Sequence, residues 1–183
     1  MKFHDTFIKG LKIIEPAVFQ DERGSFFESY NLRKYQDAGI SADFVQDNES
    51  ISVYGVVRGL HYQVAPYDQA KLVRVVSGKV FDVAVDLRKD SPTFGHWFGL
   101  ELSDENRKQF YIPRGFAHGF SVLSQNAVFA YKCDNWYHQP SERAIRFDDP
   151  GLNIKWQIPH ESLVVSAKDR NAPFFDQAEL KFS

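Results

Sequence analysis

The sequence is short of residues that would staple, span or charge it. It has a single cysteine, Cys133. That excludes an internal disulfide framework and fits a reducing compartment. No apolar run approaches the roughly 18–20 residues that cross a bilayer as a helix. The opening Met1-Lys2-Phe3-His4-Asp5 carries no apolar signal core, so a cytoplasmic protein without membrane contact is expected. Excess charge is missing too. The net charge is −2 at pH 7, with no basic field to draw in nucleic acid or anionic lipid. A bound anion therefore needs local Arg and Lys. There is no Gly-x-Gly-x-x-Gly, no P-loop and no Gly-x-Ser-x-Gly, so nicotinamide folds, ATPases and serine hydrolases have no support. No repeat, linker or low-complexity tract divides the chain, and residues 1–183 are read as one domain.

Aromatic residues, by contrast, are abundant, with 17 Phe among 183 residues. Aromatics favour strands. The chain reads as strands at 7–14 (broken by Gly10), 18–20 and 44–46, then a polar loop at 47–50. Asp21-Glu22-Arg23-Gly24 is a turn. Residues 32–38 form a short helix between an Asn31 cap and Gly39. Segments 72–76 and 80–87 read as a hairpin about Ser77-Gly78-Lys79, and 121–123 with 127–132 as another about Ser124-Gln125-Asn126. In 80–87 the alternation puts Asp82, Ala84 and Asp86 on one face and Phe81, Val83, Val85 and Leu87 on the other. Residues 96–102 are a further strand, and Ser103 opens a helical turn. Many short strands with little helix predict a mainly β fold, a barrel or jelly roll with a few short helices.

The chemistry-bearing stretch is Arg58-Gly59-Leu60-His61-Tyr62-Gln63, followed by Gln69-Ala70-Lys71-Leu72-Val73-Arg74. Histidine exchanges protons near neutral pH. A lone His in a β-protein is most often a core residue bonded to backbone, and His118 in its glycine-rich setting invites the same reading. Two cations beside His61 are poor core design, and they suit an anionic or carbonyl ligand instead. Residues 59–78 and Pro113-x-Gly115-x-x-His118 resemble the two motifs of the cupin barrel. Where metal-binding cupins place a second histidine and a carboxylate, this chain has Gln63 and Lys71. An ammonium repels a divalent cation, so a metal-free site is expected. A lysine near a catalytic histidine suits negative charge developing on oxygen, as when a proton is taken from carbon next to a ketone. Tyr131 is a candidate acid and Asp169 a candidate partner for His61. Taken singly, a strand tyrosine and a solvated loop aspartate explain both.

Further blocks carry a more specific likeness. Asp21-Glu22-Arg23-Gly24, Phe26-Phe27-Glu28-Ser29, Phe44-Val45-Gln46-Asp47-Asn48, Tyr131-Lys132 and Ser166-Ala167-Lys168-Asp169 join the stretches above in one order. In that order the chain resembles the dTDP-4-dehydrorhamnose 3,5-epimerase family nearly end to end. The resemblance implies a cupin-type barrel that uses no metal or cofactor and acts as a homodimer on a dTDP-sugar. It implies inversion of C3 and C5 of dTDP-4-dehydro-6-deoxy-D-glucose, both next to the C4 ketone. By motif, the resemblance makes His61 the base held by Asp169, Lys71 the group that stabilises the enolate, and Tyr131 the acid that reprotonates C5 from the opposite face. Arg23, Glu28, Gln46, Asn48, Arg58, His118, Glu142 and Lys168 match binding positions, with Phe26 among them and Trp136 where an aromatic stacks on thymine. In this family the N-terminal region reaches the partner subunit, so Arg23, Phe26 and Glu28 are expected to serve the neighbour's site. Glu49 and Ala70 depart from common histidine and glycine, without removing a catalytic group. The rival readings are a single-site 3- or 5-epimerase and a silent cupin that only binds sugar nucleotide.

Overall fold

Strand-forming residues in period-two alternation build two six-stranded sheets that pack face to face. The structure is a computed structural model describing residues 1–182. In chain order the strands are β1 (Lys2–Asp5), β2 (Lys12–Glu15), β3 (Val18–Asp21), β4 (Gly24–Phe27), β5 (Gln46–Val53), β6 (Val56–Gln63) and β7 (Lys71–Ser77). They continue as β8 (Lys79–Asp86), β9 (Trp97–Ser103), β10 (Gln109–Ile112), β11 (Phe116–Val122), β12 (Asn126–Cys133), β13 (Glu142–Ala144) and β14 (Val164–Val165). Helix α1 is Leu32–Asp37 and α2 is Ala167–Arg170. The first sheet runs β1-β2-β10-β7-β12-β5. The second runs β13-β6-β11-β8-β9, with β14 parallel to β6. β3 and β4 form a separate hairpin. This is the expected mainly β, jelly-roll architecture.

Three apolar layers hold it together. Between the sheets lie Val73 and Val75 of β7, Phe110 and Ile112 of β10, Phe116 and Phe120 of β11, and Phe129 of β12. On the outer face of the second sheet, Leu60, Tyr62, Val83 and Val85 are covered by Phe147, Leu152 and Trp156 of the C-terminal segment. On the outer face of the first sheet, α1 packs Tyr35 against Ile14 and Leu72. That helix starts as expected, with the Asn31 side chain accepting from Lys34 N at 3.3 Å, and ends before Gly39 at φ +79°. The β8 alternation also holds: Val80 and Ala84 face the inter-sheet core, while Phe81, Val83 and Val85 face the outer one.

Several local expectations need correcting. Residues 7–11 are a turn closed by Leu11 N on Ile8 O, and the strand begins only at Lys12. Residues 47–50 belong to β5, their polar side chains sitting on an edge strand rather than in a loop. Ser103 ends β9 and opens a single helical turn, as expected, with Arg107 N donating to Ser103 O at 3.0 Å. Neither of the two expected hairpins pairs with itself. β7 bonds β10 and β12, whereas β8 bonds β9 and β11. β11 and β12 likewise lie in opposite sheets. Alternation specifies which face is buried, not which strand is the neighbour. Here Gly78, at φ +83°, lets the chain step between sheets in one residue.

Candidate active site

A cavity of about 430 Å³ opens between the two sheets. It owes its chemistry to an irregularity in β6. His118 pairs with His61 and Phe120 with Arg58, so two steps along β11 match three along β6. The extra residue is a bulge. Strict alternation would send Arg58 and His61 to opposite faces, but the bulge puts both in the cavity lining. It needs glycine on both sides. Gly59 sits at φ +136°, and a Cβ there would lie 2.6 Å from Gly119 Cα.

The second sheet supplies His61. His61 Nε2 lies 2.6 Å from Asp169 Oδ1. Asp169 is 3% exposed and sits in α2, where Ser166 Oγ caps the helix by accepting from Asp169 N at 3.1 Å. Burial works to raise the Asp169 pKa, but the hydrogen bond and charge of His61 outweigh it and the net shift is downward. An ionised Asp169 requires Nε2 to carry the proton. Nδ1 is then the basic nitrogen.

The first sheet supplies Tyr131 and Lys71. Tyr131 on β12 and Lys71 on β7 line the same cavity, with Lys71 Nζ 6.0 Å from the Tyr131 ring centroid. Burial pushes the Tyr131 phenol up, against Arg58, so it holds its proton at neutral pH. Burial lowers the Lys71 pKa, while Cys133, Asp82 and Glu142 act the other way. His61 and Tyr131 thus approach one space from opposed sheets.

Around them stand most of the expected binding residues. Arg58 Nε donates to Ser52 Oγ at 3.1 Å. Gln46 Nε2 donates to Asn48 Oδ1 at 3.1 Å. Glu142 Oε2 accepts from Lys168 Nζ at 2.6 Å and from the Tyr137 hydroxyl at 3.1 Å. His118 faces the cavity and bonds Asp82. Four expected residues lie apart from this group. Trp136 is 61% exposed outside the lining and contributes its carbonyl to Gln63 Nε2 at 3.2 Å. Arg23 pairs with Asp21 on the exposed β3–β4 hairpin, where Phe26 is 72% exposed. Glu28 is held by Lys34 and Asn31 beside α1.

The sequence reading missed Ser52, Tyr137 and the pairing of Asp82 with His118. Only Asp82 gave a signal, as a charge on the inward face of an otherwise apolar strand. Gln63, at a cupin ligand position, spends its amide on the loop: it donates to Tyr67 O at 2.5 Å and accepts from His138 N at 2.7 Å. Among the described residues, no three His, Cys, Asp or Glu side chains are grouped to hold a metal ion. With Lys71 in the carboxylate position, the donor set does not fit a divalent cation.

Comparison with known proteins gives the chain its family. The sequence pattern of dTDP-4-dehydrorhamnose 3,5-epimerases matches residues 5–177. The dTDP-4-dehydrorhamnose 3,5-epimerase of Shigella flexneri is 53% identical, over 95% of this chain and 96% of its own. The crystal structure of the enzyme of that name from Elizabethkingia anophelis superposes with a TM-score of 0.94 at 55% identity, covering 98% of this chain and 99% of its own. The dTDP-6-deoxy-D-glucose-3,5-epimerase of Legionella pneumophila, solved with dTDP-4-keto-L-rhamnose, gives 0.95 at 49% identity, covering 100% and 98%. With the family pattern spanning nearly all of it, and relatives about half identical along its length, this chain belongs to the dTDP-4-dehydrorhamnose 3,5-epimerase family.

Proposed function

We propose that the protein epimerises dTDP-4-dehydro-6-deoxy-D-glucose at C3 and C5 to dTDP-4-dehydro-β-L-rhamnose, a step of dTDP-L-rhamnose biosynthesis. One observation carries the reading: an aspartate-held histidine and a tyrosine face one cavity from opposed sheets, with a lysine lining the same cavity. His61 Nδ1 takes a proton from carbon beside the C4 ketone, and the electron pair moves onto O4. The Lys71 ammonium stabilises that enolate oxygen. Tyr131 returns a proton to the same carbon from the other face, which inverts it. Solvent then takes the proton from His61 and reprotonates Tyr131, and the cycle repeats at the second carbon. Gln46, Asn48, Arg58, His118, Glu142 and Lys168 bind the sugar nucleotide. Arg23, Phe26, Glu28 and Trp136 complete the site, the first three in the neighbouring subunit of a cytoplasmic homodimer.

Turnover in D2O followed by NMR tests this. Deuterium is expected at both C3 and C5. Deuterium at C3 alone moves the protein to the single-site epimerases. Binding without exchange at either carbon makes it a silent cupin.

A further inference from the structure

The strand β8 turns two carboxylates inward, and they have different tasks. Asp86 is held by Arg88 Nε at 2.8 Å, Ser91 Oγ at 2.6 Å and Thr93 Oγ1 at 2.7 Å. It ties down the loop after its own strand, a structural task. Asp82 is 0% exposed, and among the described residues its side-chain hydrogen bonds go to His118 alone. Both of its oxygens reach Nε2, at 2.9 and 3.1 Å. His118 lines the cavity and lies opposite His61 in the strand pairing. A buried carboxylate is retained only where paired, and this one is paired to the site.

We propose that Asp82 is a positioning residue of the reaction: its carboxylate fixes the His118 ring with the proton on Nε2. This rests on the epimerase reading. With Nε2–H donating to Asp82, His118 keeps Nδ1 as an acceptor for a sugar hydroxyl and stays neutral. Burial lowers the pKa of His118 and raises that of Asp82, each against the pull of the other, so the pair disfavours an imidazolium and the ring is neutral.

The first test needs no substrate. Nitrogen-15 NMR of the wild-type histidines, with His118 assigned from the signals lost in His118→Gln, should show Nε2 protonated and Nδ1 bare between pH 6 and 8. An imidazolium or the Nδ1–H tautomer there overturns the proposal. The second test is kinetic. Asp82→Asn should lower kcat roughly 10–100-fold with a smaller change in KM. A variant that loses thermal stability but keeps wild-type kcat makes Asp82 merely structural and overturns the proposal. If Asp82→Asn does not fold, the wild-type NMR still decides. A wrong His118 tautomer leaves the epimerase reading standing, whereas wild-type enzyme without solvent exchange overturns that reading and the kinetic role together.

Discussion

At the scale of the residue, the proposed mechanism separates two proton-handling groups, His61 as base and Tyr131 as acid, that different substitutions should distinguish. His61→Asn removes the base. Turnover should fall on the order of 10²–10⁴-fold, and deuterium exchange into C3 and C5 should fall with it. Tyr131→Phe removes only the acid on the other face. His61 can still take a proton and, after exchange with solvent, return a deuteron to the side it came from. Exchange without net inversion is therefore expected, read by comparing NMR of recovered substrate and product. Equal loss of exchange and inversion in Tyr131→Phe would count against Tyr131 as the acid. His61 stood out in the sequence because of its neighbours Arg58 and Lys71. Tyr131 and Asp169 did not, because nothing local marks an inward tyrosine or a helix-borne aspartate 108 positions away from its histidine. Their roles came from the family resemblance, and their placement came from the fold.

At the scale of the element, the bulge in β6 and the end of β8 can each be probed. Gly59→Ala places a Cβ against the Gly119 backbone at a left-handed φ. The expected cost is at least about 2 kcal/mol from backbone strain alone, measured by denaturant unfolding. Activity should drop even in the folded fraction, because closing the bulge sends Arg58 or His61 outward. At β8, burial tends to raise the Asp86 pKa, but Arg88, Ser91 and Thr93 together hold it below the usual carboxylate range. A depressed folded pKa stabilises the native state above the unfolded value of about 3.9, and the stabilisation fades as pH falls through the folded value. Asp86→Asn should therefore cost about 2 kcal/mol at pH 7. The gap between variant and wild type should close in acid below about pH 4. A gap that does not narrow there would mean that packing, not charge, holds the loop.

At the scale of the whole molecule, the β3–β4 hairpin carries Arg23 and Phe26 out to solvent, and Glu28 follows just beyond it, all three away from the cavity of their own chain. If they complete a neighbour's site, two dead variants should rescue each other. Mixed His61→Asn and Arg23→Ala subunits form dimers in which one site has His61 from one chain and Arg23 from the other. Activity of the mixture should rise well above that of either variant alone after unfolding and refolding together. No rise would place Arg23 outside the partner's site. Sedimentation of the wild type should give a mass twice that of one 21.1 kDa chain.

The sequence by itself determined a mainly β protein, its helix cap at Asn31, the inward and outward faces of β8, and the presence of Lys71 and Gln63 where a metal-binding cupin has ligands. These follow from composition, short-range spacing and charge, which need no knowledge of neighbours. Tertiary structure alone decided that β7 with β8, and β11 with β12, split between sheets rather than pair as hairpins. Through the β6 bulge it also turned Arg58 and His61 to one side, and it joined His61 to Asp169 and His118 to Asp82. The physical reason is the same in each case. Period-two patterning fixes which face a side chain takes within an unbroken strand, but strand partners and bulges are set by long-range backbone pairing, which local sequence does not encode.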